Sequence, residues 1–155
     1  MEDLHSIMPH RGRMLLLTKV NEYDFKEESI EAEYHVTEDC LFYDPAAAGV
    51  PAWVGFEFIA QAVSAYMGIK IRARGEPIKI GFVLSVSQMH IGLSFFKPGS
   101  ILVIKAKEFE CMDPLYIYAG EIFIEGRKVL EGKITVMEVD DEKAQAMKEG
   151  SDAIE

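Results

Sequence analysis

Cysteine is nearly absent from this chain: it has two, Cys40 and Cys111, and neither sits in a CxxC pair. Two isolated thiols make no disulfide framework and fit a reducing compartment. No apolar run approaches the roughly 18 residues that mark a bilayer-spanning helix. The first residues, MEDLHSIMPHRGRM, lack a basic start followed by an apolar block, so no secretion signal is read there and a cytoplasmic location is expected. Positive charge is in deficit: 16 Lys and Arg stand against 26 Asp and Glu, a formal net charge of −10. That argues against a nucleic-acid binder, whose domain would be basic overall, and against a protein held on anionic lipid. The sequence has no Gly-rich phosphate loop, no clustered Cys/His set and no internal repeat. No nucleotide, metal or other cofactor is therefore expected.

What is present reads mostly as strand. Residues 14–25 and 28–37 read as two strands separated by a short polar turn. In the second, Ile30, Ala32, Tyr34 and Val36 alternate with Glu31, Glu33 and His35, which puts one face inward and His35 outward. Residues 38–50, with Pro45, three alanines and Gly49, read as a loop. Pro51 suits the first position of a helix, where its missing N–H matters least. Helix-compatible sequence follows until Gly75 and Pro77. Trp53, Phe56, Ala60, Val63, Tyr66 and Met67 recur at three and four, and Phe58, Ala62, Ala65 and Ile69 occupy the other side. A helix apolar nearly all round is buried on most sides, and its aromatic residues read as core. Strands are then predicted over 78–91, 101–112, 115–125 and 128–138, with turn residues at FFKPGS, MDP and EGR. Cys111, inside the second of these, reads as a small buried hydrophobe. One buried helix preceding most of a long antiparallel sheet predicts an α+β fold with the sheet curved round the helix. It would form a single domain over 1–140, followed by a polar helix or tail over 141–155.

Residues 45–61 read PAAAGVPAWVGFEFIAQ, and Glu57 is the one charge among them. A carboxylate in so apolar a segment is paired or in use, and apolar surroundings favour the protonated form of a carboxyl. Lys70, Arg72, Arg74 and Lys79 gather near the predicted helix end against the single Glu76, and Arg11 and Arg13 form a smaller cluster. The larger group is either a basic patch for an acidic partner or a solvated helix end whose cations suit the dipole.

Four stretches together carry a family resemblance: MPHRGRMLLLTKV, GVPAWVGFEFIAQA, LSFFKPGSIL and the strand spacing after the helix. Over most of residues 8–138 the chain resembles the hotdog-fold 3-hydroxyacyl-[acyl-carrier-protein] dehydratases of the FabA/FabZ type. The helix start, VPAWVGFEFIAQ, is similar to the divergent ApeP-like branch associated with aryl polyene lipid synthesis. The resemblance implies a hotdog fold, an antiparallel sheet wrapped round one long helix, with two subunits pairing as a homodimer and active sites at their interface. It implies dehydration of a 3-hydroxyacyl thioester carried on acyl carrier protein, with no cofactor. Glu57 then matches the helix carboxylate that serves as acid. Backbone N–H groups at the helix start, over Pro51, Ala52, Trp53 and Val54, would face the thioester carbonyl. Gln61 would lie beside the substrate or hold a neighbouring loop. Lys70, Arg72 and Arg74 would dock the carrier, and the large apolar helix residues could line an acyl tunnel.

The chain departs from the family at one place. The family's His-Phe-Pro-Gly run lies fourteen residues before the helix acid, where this sequence has Tyr43 in LFYDPAAAG and no histidine. His10, His35 and Tyr43 are the candidates to work with Glu57. The departure also keeps open a hotdog thioesterase using the helix carboxylate alone, and a silent acyl-binding subunit paired with an active one.

Overall fold

In the computed structural model, residues 1–140 are described, together with 142, 145, 146, 149 and 150. The polar helix or tail expected over 141–155 lies largely outside the described residues. The chain opens with a single helical turn, α1 (Leu4–Ile7), and a 3-10 turn at Gly12–Met14. Strands β1 (Lys19–Asp24) and β2 (Ser29–His35) follow. The two-residue strand β3 (Val50–Pro51) leads through a 3-10 turn (Ala52–Val54) into the long helix α2 (Gly55–Ala73). After it come β4 (Ile80–Ile91), the short β5 (Phe95–Phe96), β6 (Ile101–Met112), β7 (Leu115–Ile124) and β8 (Arg127–Val139). Six strands form one sheet in the order β1-β2-β6-β7-β8-β4, antiparallel at every pairing, and β3 pairs with β5 apart from it. This is the expected α+β hotdog arrangement.

Alternation drives the wrap. Ile30, Ala32 and Tyr34 of β2 are buried, and in register with them are Leu102, Ile104 and Ala106 of β6. The same inward face continues through Ile122 and Tyr118 of β7 to Leu130 and Ile134 of β8. Against this face lie Phe58, Ile59, Ala62, Ala65 and Tyr66 of α2, all fully enclosed. The centre of the contact is too close for side chains on both sides. A Cβ on Gly120 would come 2.4 Å from Ile59, so glycine there lets the helix seat itself on the sheet.

Where the structure differs from the sequence reading, backbone pairing gives the reason. The first strand begins at Lys19 rather than 14, because residues 12–14 turn and Leu16 is tied to the helix instead of to a strand. The α-helix begins at Gly55 rather than Pro51, because Val50 and Pro51 pair with Phe96 and Phe95 and keep the chain extended. Trp53 therefore falls on the 3-10 turn and is 56% exposed rather than core. It stacks on Phe56 and meets the edge of Phe42. Cys111 is exposed, because it lies at the far end of β6, where residues 109–112 are all exposed. His35 is exposed, as its place in the alternation requires, and its ring bonds Glu33 at 2.9 Å. Among the described residues no helix is long and apolar enough to cross a membrane.

A polar cluster closes one end of the fold. The buried Tyr66 hydroxyl donates to Glu28 Oε2 at 2.9 Å, and Lys70 Nζ donates to the same oxygen at 2.5 Å. Burial pushes the Glu28 carboxyl up, but the hydrogen bonds from Lys70 and Tyr66 and the charges of Lys70 and Arg74 outweigh it and leave it below its ordinary value. A carboxylate lowered on folding stabilises the fold above its unfolded pKa, and that contribution vanishes as pH falls through the folded value. Glu28→Gln should therefore lower stability near neutral pH by about 1 kcal/mol, the scale of a partly exposed ion pair. Thermal melts against pH should show the gap from wild type closing below about pH 4. A gap that stays constant into acid would show that the carboxylate charge is not what stabilises this corner.

Candidate active site

The site is organised by Gln61, one turn beyond Glu57 on α2. Gln61 is 1% exposed, and its amide is fully used. Its Oε1 accepts from Leu16 N at 2.8 Å, and its Nε2 donates to Met14 O at 2.7 Å and to Glu57 Oε1 at 3.1 Å. The backbone donor and acceptor of the 14–16 segment fix which way the amide points. One side chain thus ties the N-terminal segment to the helix and steers the carboxylate. This bond holds one oxygen of Glu57 in place.

The N-terminal segment runs back along α2 as a strap. Arg72, near the end of the helix, pairs with Glu2 and donates to Ser6 Oγ at 3.2 Å. Midway, a Cβ on Gly68 would overlap Ile7 O at 1.7 Å, so only glycine allows the strap to lie this close. Arg11 then gathers three carbonyls: Met8 O at 2.6 Å, His10 O at 2.8 Å and His5 O at 2.9 Å. Arg11 of the Pro-His-Arg run is therefore a brace, and the turn it holds presents His10 to Glu57. The imidazole is half-buried, and its Nδ1 is enclosed with no protein hydrogen-bond partner. Burial lowers its pKa, the Glu57 charge pulls the other way, and Arg11 lowers it further, so the ring is held neutral below its ordinary range. An imidazole beside a carboxylic side chain sets two proton-transferring groups next to each other.

His10 and Glu57 line one groove of about 220 Å³. Its floor is a single helix stripe, Glu57, Ala60, Ser64, Gly68 and Ile71, spaced at three and four. Val83 and Val136 form the sheet-side wall. Lys79 and Glu138, 3.2 Å apart, stand at the far end. A larger cavity of about 730 Å³ lies across the outer face of the sheet, walled by rows such as Lys105, Glu121 and Glu131. None of the candidate catalytic or substrate-binding residues lines that cavity, so the smaller groove is the candidate site.

The remaining expected residues are placed as follows. Pro51 has no N–H, Ala52 donates its own to Ser94 O at 2.9 Å, and the 3-10 turn uses that of Val54, which narrows the expected carbonyl donors to Trp53. Among the described residues the helix start carries no side-chain cap, and the 3-10 turn before it takes up the Gly55 N–H. Tyr43 lies on the 36–49 loop outside the groove, with its phenol pushed up by desolvation and by Glu38 and Asp44. Lys70 and Arg72 are engaged with Glu28 and Glu2, while Arg74 sits exposed at the helix end. The sequence reading missed Ser64 and the Lys79–Glu138 pair. The small residues at 60 and 64 were a signal that this part of the helix face is not filled. The ion pair depends on the β4–β8 register, which sequence does not reveal. Among the described residues no group of His, Cys, Asp and Glu is arranged to hold a metal.

The family model for ApeP-like proteins, described as ApeP dehydratase, matches residues 2–148. The 3-hydroxyacyl-[acyl-carrier-protein] dehydratase FabZ of Chlamydia muridarum is 30% identical over 138 residues, 86% of this chain and 88% of that protein. Its counterpart in Chlamydia trachomatis serovar D is 29% identical over the same length. Among solved structures, the dehydratase heterocomplex ApeI:P from Xenorhabdus doucetiae superposes with a TM-score of 0.87 at 20% identity, covering 95% of this chain and 97% of that one. A hypothetical thioesterase with coenzyme A from Streptococcus pneumoniae gives 0.60 at 14% identity, covering 79% and 85%. At these identities the two structures establish the fold.

Replacing Gln61 by Leu keeps the volume and removes every bond of the amide. Leu16 N–H and Met14 C=O would be left unpaired, each costing about 1–3 kcal/mol. The melting temperature should fall by roughly 5–10 °C. An unchanged melting temperature would show that the strap is held by other contacts.

Proposed function

The chain belongs to the ApeP-like dehydratase family, and on that premise we propose that it dehydrates 3-hydroxyacyl groups held as thioesters on acyl carrier protein, giving trans-2-enoyl thioesters for lipid or aryl polyene synthesis. The single observation that carries the reading is the shared groove: Glu57 and a neutral His10 face it together at the start of α2. His10 accepts the C2 proton. The electrons of that C–H bond form the C2=C3 double bond as the C3–O bond breaks, and the Glu57 carboxyl gives its proton to the departing hydroxyl, which leaves as water. His10 has then gained the proton that Glu57 lost, and proton exchange restores both. The thioester carbonyl, which draws electron density during proton removal, is met by the Trp53 N–H and by the positive end of the helix dipole. Gln61 keeps Glu57 in place throughout.

The partners follow from the surface. The edge strand β4 exposes Val83, Leu84, Val86 and Ile91, an apolar row with unpaired backbone beside it. A second hotdog chain covers this edge, in the first instance another copy as a homodimer. Tyr43 would reach a groove only from such a paired subunit. The solvated end of α2, with Arg74 foremost and Lys70 and Arg72 behind it, receives the acidic carrier.

Purified protein given a 3-hydroxyacyl thioester should produce enoyl absorbance without releasing free thiol, and should sediment as a dimer at the assay concentration. Glu57→Gln should reduce kcat/KM by roughly 10²–10⁴-fold. Thiol release abolished by the same change would instead identify a thioesterase. A folded protein giving neither signal would leave an acyl-binding subunit whose chemistry belongs to a partner.

A further inference from the structure

The groove that holds Glu57 and His10 is closed by charge at its other end. Glu57 lies in the first turn of α2 and Ile71 in the last, about 21 Å apart along the axis at the rise of a helix. Between them the walls are apolar, with Ala60, Val63, Met67, Val83 and Val136 broken only by Ser64. Beyond the helix the chain turns back, and Lys79 precedes β4 opposite the end of β8. There Lys79 Nζ lies 3.2 Å from Glu138 Oε1 and 3.5 Å from Glu76 Oε2.

On the dehydratase reading, we infer that the Lys79–Glu138 pair is the end wall that measures the acyl chain, so that the groove takes 3-hydroxyacyl groups whose tails end before the pair and turns away longer aliphatic ones. Two observations support this. The groove, at about 220 Å³, is smaller than the roughly 300–1,000 Å³ typical of ligand pockets. The pair is also still partly hydrated, with side chains 34% and 18% exposed. A methyl terminus pressed against it would strip that water and return no hydrogen bond, a penalty that apolar contact does not offset. A chain ending short of the pair meets only apolar surface.

Binding separates this claim from the chemistry. The probes are saturated acyl-pantetheine amides of increasing length, which lack the 3-hydroxyl and cannot be dehydrated, titrated calorimetrically into the full chain. Wild type should bind short acyl groups and lose roughly tenfold or more in affinity once the tail reaches the pair. Lys79→Met with Glu138→Leu removes both charges together, so neither is left unpaired, and should restore the long-chain affinity. Ser64→Leu, placed midway, should shift the cut-off to shorter chains, and it keeps the test alive if the double variant misfolds. A wild-type profile that rises steadily with length, or a cut-off unmoved by these variants, overturns the end wall. Failure of dehydration would not alter these affinities, and a flat length profile would not alter the chemistry at Glu57.

Discussion

The arrangement depends on one buried amide. Gln61 has three polar groups to satisfy, and it satisfies them with Met14, Leu16 and Glu57. A buried amide left partly unpaired would be costly, so the segment that feeds it cannot wander. That requirement takes residues 14–16 out of the sheet, delays β1 to Lys19 and lays the preceding strap along the helix. The strap in turn carries His10. A single hydrogen-bonding constraint inside the helix therefore determines where the carboxylate points and what stands opposite it.

The helix serves the sheet and the site with different faces. Phe58, Ile59, Ala62 and Tyr66 are packed into the curved sheet, and Gly120 gives way to admit them. Glu57, Ala60 and Ser64 face the groove and are half-buried, with small side chains where core would be large. An apolar helix with one unfilled stripe leaves room for a ligand without losing its anchorage. The same stripe lies beside β4, the sheet edge whose apolar residues remain exposed on the single chain. The candidate groove and the uncovered edge are thus neighbours, so pairing along that edge would enclose the groove further.

Much of this was legible in the sequence. Strict alternation at Ile30, Ala32, Tyr34 and Val36 named the inward face of β2, and all four are buried. The lone charge of Glu57 singled out the residue that lines the candidate groove. The errors came where backbone pairing overrode local pattern. Pro51 has the properties of a helix start, yet its pairing with Phe95 holds it extended. Trp53 fits the apolar helical stripe, but it lies on the turn before the stripe begins. Cys111 reads as a small strand hydrophobe, but it sits on the end of β6 that runs past the core. The roles of Arg11 and of Lys79 were hidden for a related reason. Each depends on which distant carbonyl or carboxylate the fold brings within reach, and periodicity carries no information about that.

The central claim is that His10 and Glu57 act as one proton-transferring unit within a single chain. A double-mutant cycle on kcat/KM tests it most directly, with His10→Asn, Glu57→Gln and the pair compared on one 3-hydroxyacyl thioester. Groups that act together lose their effect together, so the double variant should be about as slow as the worse single variant. Losses that multiply, or a His10→Asn enzyme as fast as wild type, would contradict the account and place the base elsewhere.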